Sequence, residues 1–143
     1  MKIDAVTSVA VITDDPQRSR RLYVDTLGLP LKQLDGEYLA TSELDGCGHF
    51  GVWPLAQAAQ ACFGDSTWPN EWLPPQMSVE FEVSDERAVA AGATELRSQG
   101  YQLLHDAKTE PWGQTVARLL SPEGVIVGLS FAPSLHDGSP ESG

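Results

Sequence analysis

With 143 residues, 41% of them hydrophobic and 20% charged, the chain can fill one small packed core and is too short for several domains. Nine Lys and Arg against 20 Asp and Glu leave a formal charge of −11, which argues against nucleic acid or an anionic membrane surface as partner. Met1-Lys2-Ile3-Asp4 runs directly into alternating apolar residues, no long apolar run could span a bilayer, and Cys47 and Cys62 lack zinc or disulfide-framework spacing, so a cytoplasmic protein with reduced thiols is expected.

In chain order, Ser8–Thr13 reads as a strand of β-branched and small residues. Asp14-Asp15-Pro16 offers an N-cap and a first-turn proline, and the helix it opens runs through Leu22, Tyr23 and Leu27 to a stop at Gly28. Short strands are expected over Leu31–Leu34, Glu37–Ser42 and Gly48–Trp53, separated by the turn pairs Asp35-Gly36 and Asp45-Gly46. The connector Leu55–Pro75 starts with an Ala/Gln-rich stretch that suits a short helix, then carries Phe63, Trp68 and Trp72 among Gly, Asn and Pro. Three large aromatics need something to pack on: the core, a partner subunit or a ligand.

The second half repeats the first. Ser78–Val83 alternates with period two, Ser84 or Asp85 caps an alanine-rich helix that ends at Gly100, and strands follow at Tyr101–His105, Gln114–Leu120 and Val125–Phe131. The expected layout is therefore residues 1–54 and 76–132 as two βαβββ modules, 55–75 as the connector, and 133–143 as a disordered Ser/Gly/Asp/Glu-rich tail.

Asp15-Pro16, Ser19, Leu22-Tyr23 and Leu27-Gly28-Leu29 together resemble the opening module of the vicinal-oxygen-chelate superfamily, which holds the glyoxalases, bleomycin-resistance proteins and dioxygenases. Pro111-Trp112-Gly113 and Ser121-Pro122-Glu123-Gly124 are similar to its closing module. The resemblance covers about residues 4–132 and implies an α+β fold in which two βαβββ modules curve their sheets around an open cup, usually in a homodimer. Metalloenzymes of that superfamily place ligands on the first, fourth, fifth and eighth strands. The positions carried over here are Ser8, Ser78, Gly128, and Gly51 or Trp53, none a good donor for a divalent cation. No metal and no cofactor is therefore expected, and the chain looks most like the metal-free, drug-sequestering branch.

Strand alternation assigns the faces. Ser8, Ala10 and Ile12, then His49, Gly51 and Trp53, then Ser78, Glu80 and Glu82 are expected to line the cup, with Phe50, Val52, Val79, Phe81 and Val83 under the helices. Trp53 and Trp112 on opposite sides suit a flat aromatic ligand, and glycine at 51 and 128 makes room for it. The expected function is metal-free binding and sequestration of a hydrophobic aromatic small molecule, of the antibiotic or natural-product self-resistance type. The expected ligand-binding residues are Trp53, Trp112, His49, Ser78, Glu80, Ser8, Trp68 and Gly128, with Trp68 and Trp72 open to a lid or a dimer role. The alternative is an enzyme of the superfamily, using Glu80, Glu82 and His49 for acid/base chemistry, or a metal. Against a catalytic or binding role, one or both of Glu80 and Glu82 could sit at a solvated sheet edge or pair with Arg118. A third reading is an interaction domain whose aromatic connector binds another protein, marked by an occluded cup with no affinity for aromatic ligands.

Overall fold

The computed structural model describes residues 1–136. Residues 137–143, most of the expected tail, lie outside them; Pro133–Leu135 is not disordered but forms a 3₁₀ turn. The first module comprises β1 (Ala5–Thr13), α1 (Pro16–Arg20) continued by a π-helical turn (Arg21–Thr26), β2 (Lys32–Gln33), β3 (Leu39–Thr41) and β4 (Phe50–Pro54). The connector supplies α2 (Leu55–Phe63). The second module comprises β5 (Met77–Glu82), α3 (Glu86–Ser98), β6 (Leu103–Thr109), β7 (Thr115–Leu120) and β8 (Ile126–Phe131).

The eight strands make one open curved sheet in the order β2-β3-β4-β1-β5-β8-β7-β6. Within each module the first strand pairs parallel with the fourth: β1 with β4, and β5 with β8. The modules join where β1 runs antiparallel to β5, so both halves of the cup come from one chain. This is the α+β, two-module architecture expected.

Matching punctuation starts and stops the two module helices. Asp15 accepts a hydrogen bond from the Arg18 amide and Asp85 from the Ala88 amide, capping orphan N–H groups of the first turns. Gly28 (φ 70°) and Gly100 (φ 92°) then take the left-handed conformation that ends a helix. Both module helices lie on one side of the sheet. Tyr23 packs its ring on Phe50, while Val89 and Ala93 of α3 bury against Val83 and Ala117.

The connector helix α2 lies on the other side, inside the cup. Ala58, Ala59 and Cys62 are buried together with Ile126, and Ile12, Trp53, Leu104 and Leu120 pack around them from both modules. Alanines make α2 thin enough to lie against a curved sheet. Trp68 is buried in this same cluster, and its ring meets Phe63, which also meets Trp72. Of the options open for the connector aromatics, the core is the one Trp68 takes.

Candidate functional site

The concave face of the second module is polar beneath an apolar helix. Glu80 stands on β5 directly opposite Gly128 of β8, and Gly128 in turn pairs with Arg118 of β7. A β-carbon at 128 would come within 3.1 Å of Glu80 Cγ and 3.3 Å of Val116, so glycine leaves the space that the glutamate side chain fills. Across that gap Arg118 reaches Glu80 at 3.8 Å and Glu110 at 3.5 Å, and Lys108 reaches Glu110 at 3.3 Å. The pairing of Glu80 with Arg118 is thus present.

Further hydrogen bonds hold Glu80. Ser8 Oγ donates to its Oε1 at 3.0 Å and Gln114 Nε2 at 2.8 Å. Gln114 Nε2 also donates to Ser130 Oγ, and Gln114 Oε1 accepts from Trp112 Nε1 at 2.8 Å. The turn Glu110-Pro111-Trp112-Gly113, closed by Gly113 at φ 94°, therefore sends Glu110 inward and leaves Trp112 at the rim.

Arg118 is 1% exposed, and an isolated buried guanidinium would be costly; two carboxylates offset it here. Its NH1 also donates toward His105 Nε2 at 3.1 Å. A guanidinium can only donate, so Nε2 of His105 is the acceptor and Nδ1–H donates to the Asp106 carbonyl at 2.6 Å. Burial and then the neighbouring cations Arg118 and Lys108 push the His105 pKa down to about 4, which keeps the ring neutral. Burial likewise pushes the Cys62 thiol on α2 up to about 11.

The concave face of the first module is simpler. Tyr38 leans over Gly51, where a β-carbon would lie 2.7 Å from its hydroxyl, and that hydroxyl bonds His49 Nε2 at 2.6 Å. Trp53 lies under α2 with the Arg118 guanidinium 5.7 Å from its ring centroid, a cation–π geometry that links the modules.

The residues singled out in the sequence fall into three groups. Ser8, Glu80 and Gly128 meet on the cup floor, with Arg118 of β7 paired across from Gly128 and reaching Glu80. Ser78 is buried on the same strand face, and His49 and Trp53 lie on the first module's concave side. Trp112 stands apart: it is 60% exposed, and Trp53 is covered by α2, so the two indoles do not sandwich a common space.

Glu82 sits at the far end of β5, 2% exposed. It accepts hydrogen bonds from Thr7 Oγ1 and the Ala132 amide at 2.7 Å each and lies 2.7 Å from His136 Nε2. A bulge in β1 between Val6 and Ser8 lets consecutive residues Thr7 and Ser8 serve Glu82 and Glu80 in turn. Glu82 is thereby a clamp for the C-terminal turn rather than a neighbour of Glu80. Sequence reasoning missed Lys108, Glu110 and Gln114; the charged alternation in Lys108-Thr109-Glu110 before the Pro-Trp-Gly turn was the available signal.

The donor set does not fit a divalent metal. Ser8, Ser78, Gly51 and Gly128 stand at the positions in question, and the Glu80 carboxylate already has Arg118 as its cation. Among the described residues no three His, Cys, Asp or Glu side chains converge on a metal-sized site. Two open surface depressions, of about 920 and 210 Å³, flank α1 and its π-helical continuation. No helix among the described residues is long and apolar enough to cross a membrane.

The sequence matches no family model and no curated protein. Solved structures do share its fold. A glyoxalase/bleomycin resistance protein/dioxygenase superfamily member from Vibrio splendidus 12B01 superposes with a TM-score of 0.56 at 17% identity, covering 92% of this chain and 100% of its own. A methylmalonyl-CoA epimerase in complex with methylmalonyl-CoA and NH4+ gives 0.57 at 16% identity, over 97% of this chain and 100% of its own. A structure described as NAD-dependent benzaldehyde dehydrogenase from Legionella pneumophila gives 0.57 at 10% identity, over 87% and 96%. Names this different on one architecture show the glyoxalase/bleomycin-resistance fold and leave activity to the site.

Proposed function

We propose that the chain is a metal-free binding protein that sequesters a hydrophobic aromatic small molecule in its cup, as in self-resistance to an antibiotic or natural product. The observation that carries this reading is the mismatch between the cup floor and its cover. A charge-balanced polar network of Glu80, Arg118, Glu110 and Lys108 lies beneath a thin alanine helix, where an apolar floor would serve packing better. Trp53 and Tyr38 give the cup aromatic walls, and Trp112 stands at its rim. Because α2 fills the space, a ligand of any size enters only as α2 gives way. We further propose a cytoplasmic homodimer; the exposed Leu22 and Leu27 on the helix-bearing side support self-association.

The test is titration of intrinsic tryptophan fluorescence with a panel of aromatic natural products, on protein whose metal content is measured. Saturable quenching in metal-free protein, with the compound recovered unchanged, is expected. Turnover of the compound, abolished by Glu80→Gln, would establish the enzyme reading instead. That second reading draws on Glu80 facing the cup and on the epimerase among the structures sharing the fold.

A further inference from the structure

Glu80, Glu110 and His105 all serve Arg118, yet two buried donors near α2 still lack a partner. Arg118 Nε and Trp68 Nε1 are both buried, and neither donor finds a partner among the described residues. A buried donor without an acceptor costs about 1–3 kcal/mol, so the unsatisfied Nε of Arg118 beside α2 needs a reason. The only acceptor α2 offers the cations beneath it is a backbone carbonyl. Ala61 O receives Lys108 Nζ at 2.5 Å and Arg118 NH1 at 3.5 Å. That carbonyl is free to do so because α2 ends at Phe63 and Gly64 turns left-handed, so residue 65, whose amide would be its helical partner, lies beyond the helix.

The charges define what else could occupy this place. Glu80 and Glu110 balance Arg118 and Lys108, and His105 is neutral above its lowered pKa of about 4. An anion would add an uncompensated charge; a neutral oxygen acceptor would not. We propose that Lys108 and Arg118 form a subsite for a neutral carbonyl oxygen of the ligand, a position that Ala61 of α2 holds while the cup is closed. The inferred ligand class is a flat aromatic ketone, quinone or amide. Its ring replaces the alanine face of α2 beside Trp53, its oxygen replaces Ala61 O, and α2 is the internal competitor. The inference rests on the binding reading above and specifies its ligand.

A matched set of probes separates the two. 2-Acetylnaphthalene, 2-isopropylnaphthalene and 2-naphthoate share one ring system and differ in presenting a neutral carbonyl, no acceptor or an anion. Affinities are read by tryptophan fluorescence on the full chain. 2-Acetylnaphthalene is expected to bind about tenfold more tightly than either of the others, the contribution of a hydrogen bond to a charged donor. In Lys108→Met, whose position is part-exposed and whose loss leaves the Glu80–Arg118 pair intact, that preference should shrink to about twofold. Gln60→Gly, an exposed α2 position, should raise affinity for 2-acetylnaphthalene by about threefold, since weakening the competitor helix raises the open fraction. Circular dichroism confirms that both variants fold. Equal affinity for acetyl and isopropyl probes, preference for naphthoate, or a full preference retained in Lys108→Met would overturn the carbonyl subsite while leaving aromatic binding in place. Absence of binding by all three probes, in Gln60→Gly as well, would overturn both.

Discussion

The two modules share a plan and differ in what they put on the concave face. In the first, β2 and β3 span only two and three residues, and the floor is a hydrogen-bonded pair of ring side chains, Tyr38 on His49, lying over Gly51. In the second, β6, β7 and β8 span six or seven residues each, and the floor is an ion network lying over Gly128. Gly51 and Gly128 occupy equivalent fourth strands, and in each case a long polar side chain fills the room the glycine leaves. Duplication has kept the backbone device and changed its chemistry. The half with the longer strands carries the buried charges, Arg118 at 1% exposure and Glu110 at 6%.

The largest expected effect comes from breaking the charged half. Arg118→Met removes the cation shared by Glu80 and Glu110 and should lower unfolding stability in urea by about 3–5 kcal/mol, because it leaves buried carboxylates poorly compensated. His49→Gln in the first module strands no buried ion-pair partner and should cost well under half as much. Similar losses for both would mean that the contrast between the floors has no energetic weight.

The glycine pair gives an intermediate effect. Gly128→Ala places a methyl group 3.1 Å from Glu80 Cγ and 3.3 Å from Val116, between packed strands with little room to yield, and should destabilise by about 1–3 kcal/mol. Gly51→Ala meets the end of the Tyr38 side chain, which can swing away, so its cost should fall at the low end of the same range, with the Tyr38–His49 bond broken. Thermal melts of the two variants side by side decide whether the second module is the tighter half.

A further expected effect is a pH dependence that arises in the second module. His105 titrates at about 4 in the folded chain and near its ordinary value of 6.5 when unfolded. Between those values the unfolded chain binds more protons, so stability is fully present above about pH 6.5 and declines as pH falls toward 4. His105→Gln should flatten that window in urea midpoints measured from pH 4 to 7.

The duplicated fold was legible because its signals are local. Asp15-Pro16 with Gly28, and Asp85 with Gly100, mark helix ends by capping and left-handed turns, and the alternation Ser78–Val83 gave the correct faces of β5. Part of the site was legible for the same reason, since Ser8, Glu80 and Gly128 follow from alternation and register. The position of α2 was not. Its Ala/Gln composition marks a helix, but small residues at 56, 58, 59 and 61 carry no strong apolar stripe to say which surface receives them. The meeting of Lys108, Glu110 and Arg118 was hidden too, because irregularities in the β6–β7 pairing break simple alternation there. The 60% exposure of Trp112 was not legible either, because an indole on a turn looks the same in sequence whether it faces a cup or solvent.

The most direct test of a cup closed by its own helix uses Cys62, which is buried on α2 with its thiol pKa pushed up to about 11. In a Cys47→Ser background, the rate at which a disulfide reagent labels Cys62 at pH 8 reports how often α2 leaves the cup. Labelling should be slow in the protein alone and should accelerate as 2-acetylnaphthalene saturates the tryptophan signal, because ligand and helix compete for one place. An unchanged or slower rate at saturation would mean that the ligand binds with α2 in position, and the helix would then be a fixed part of the core.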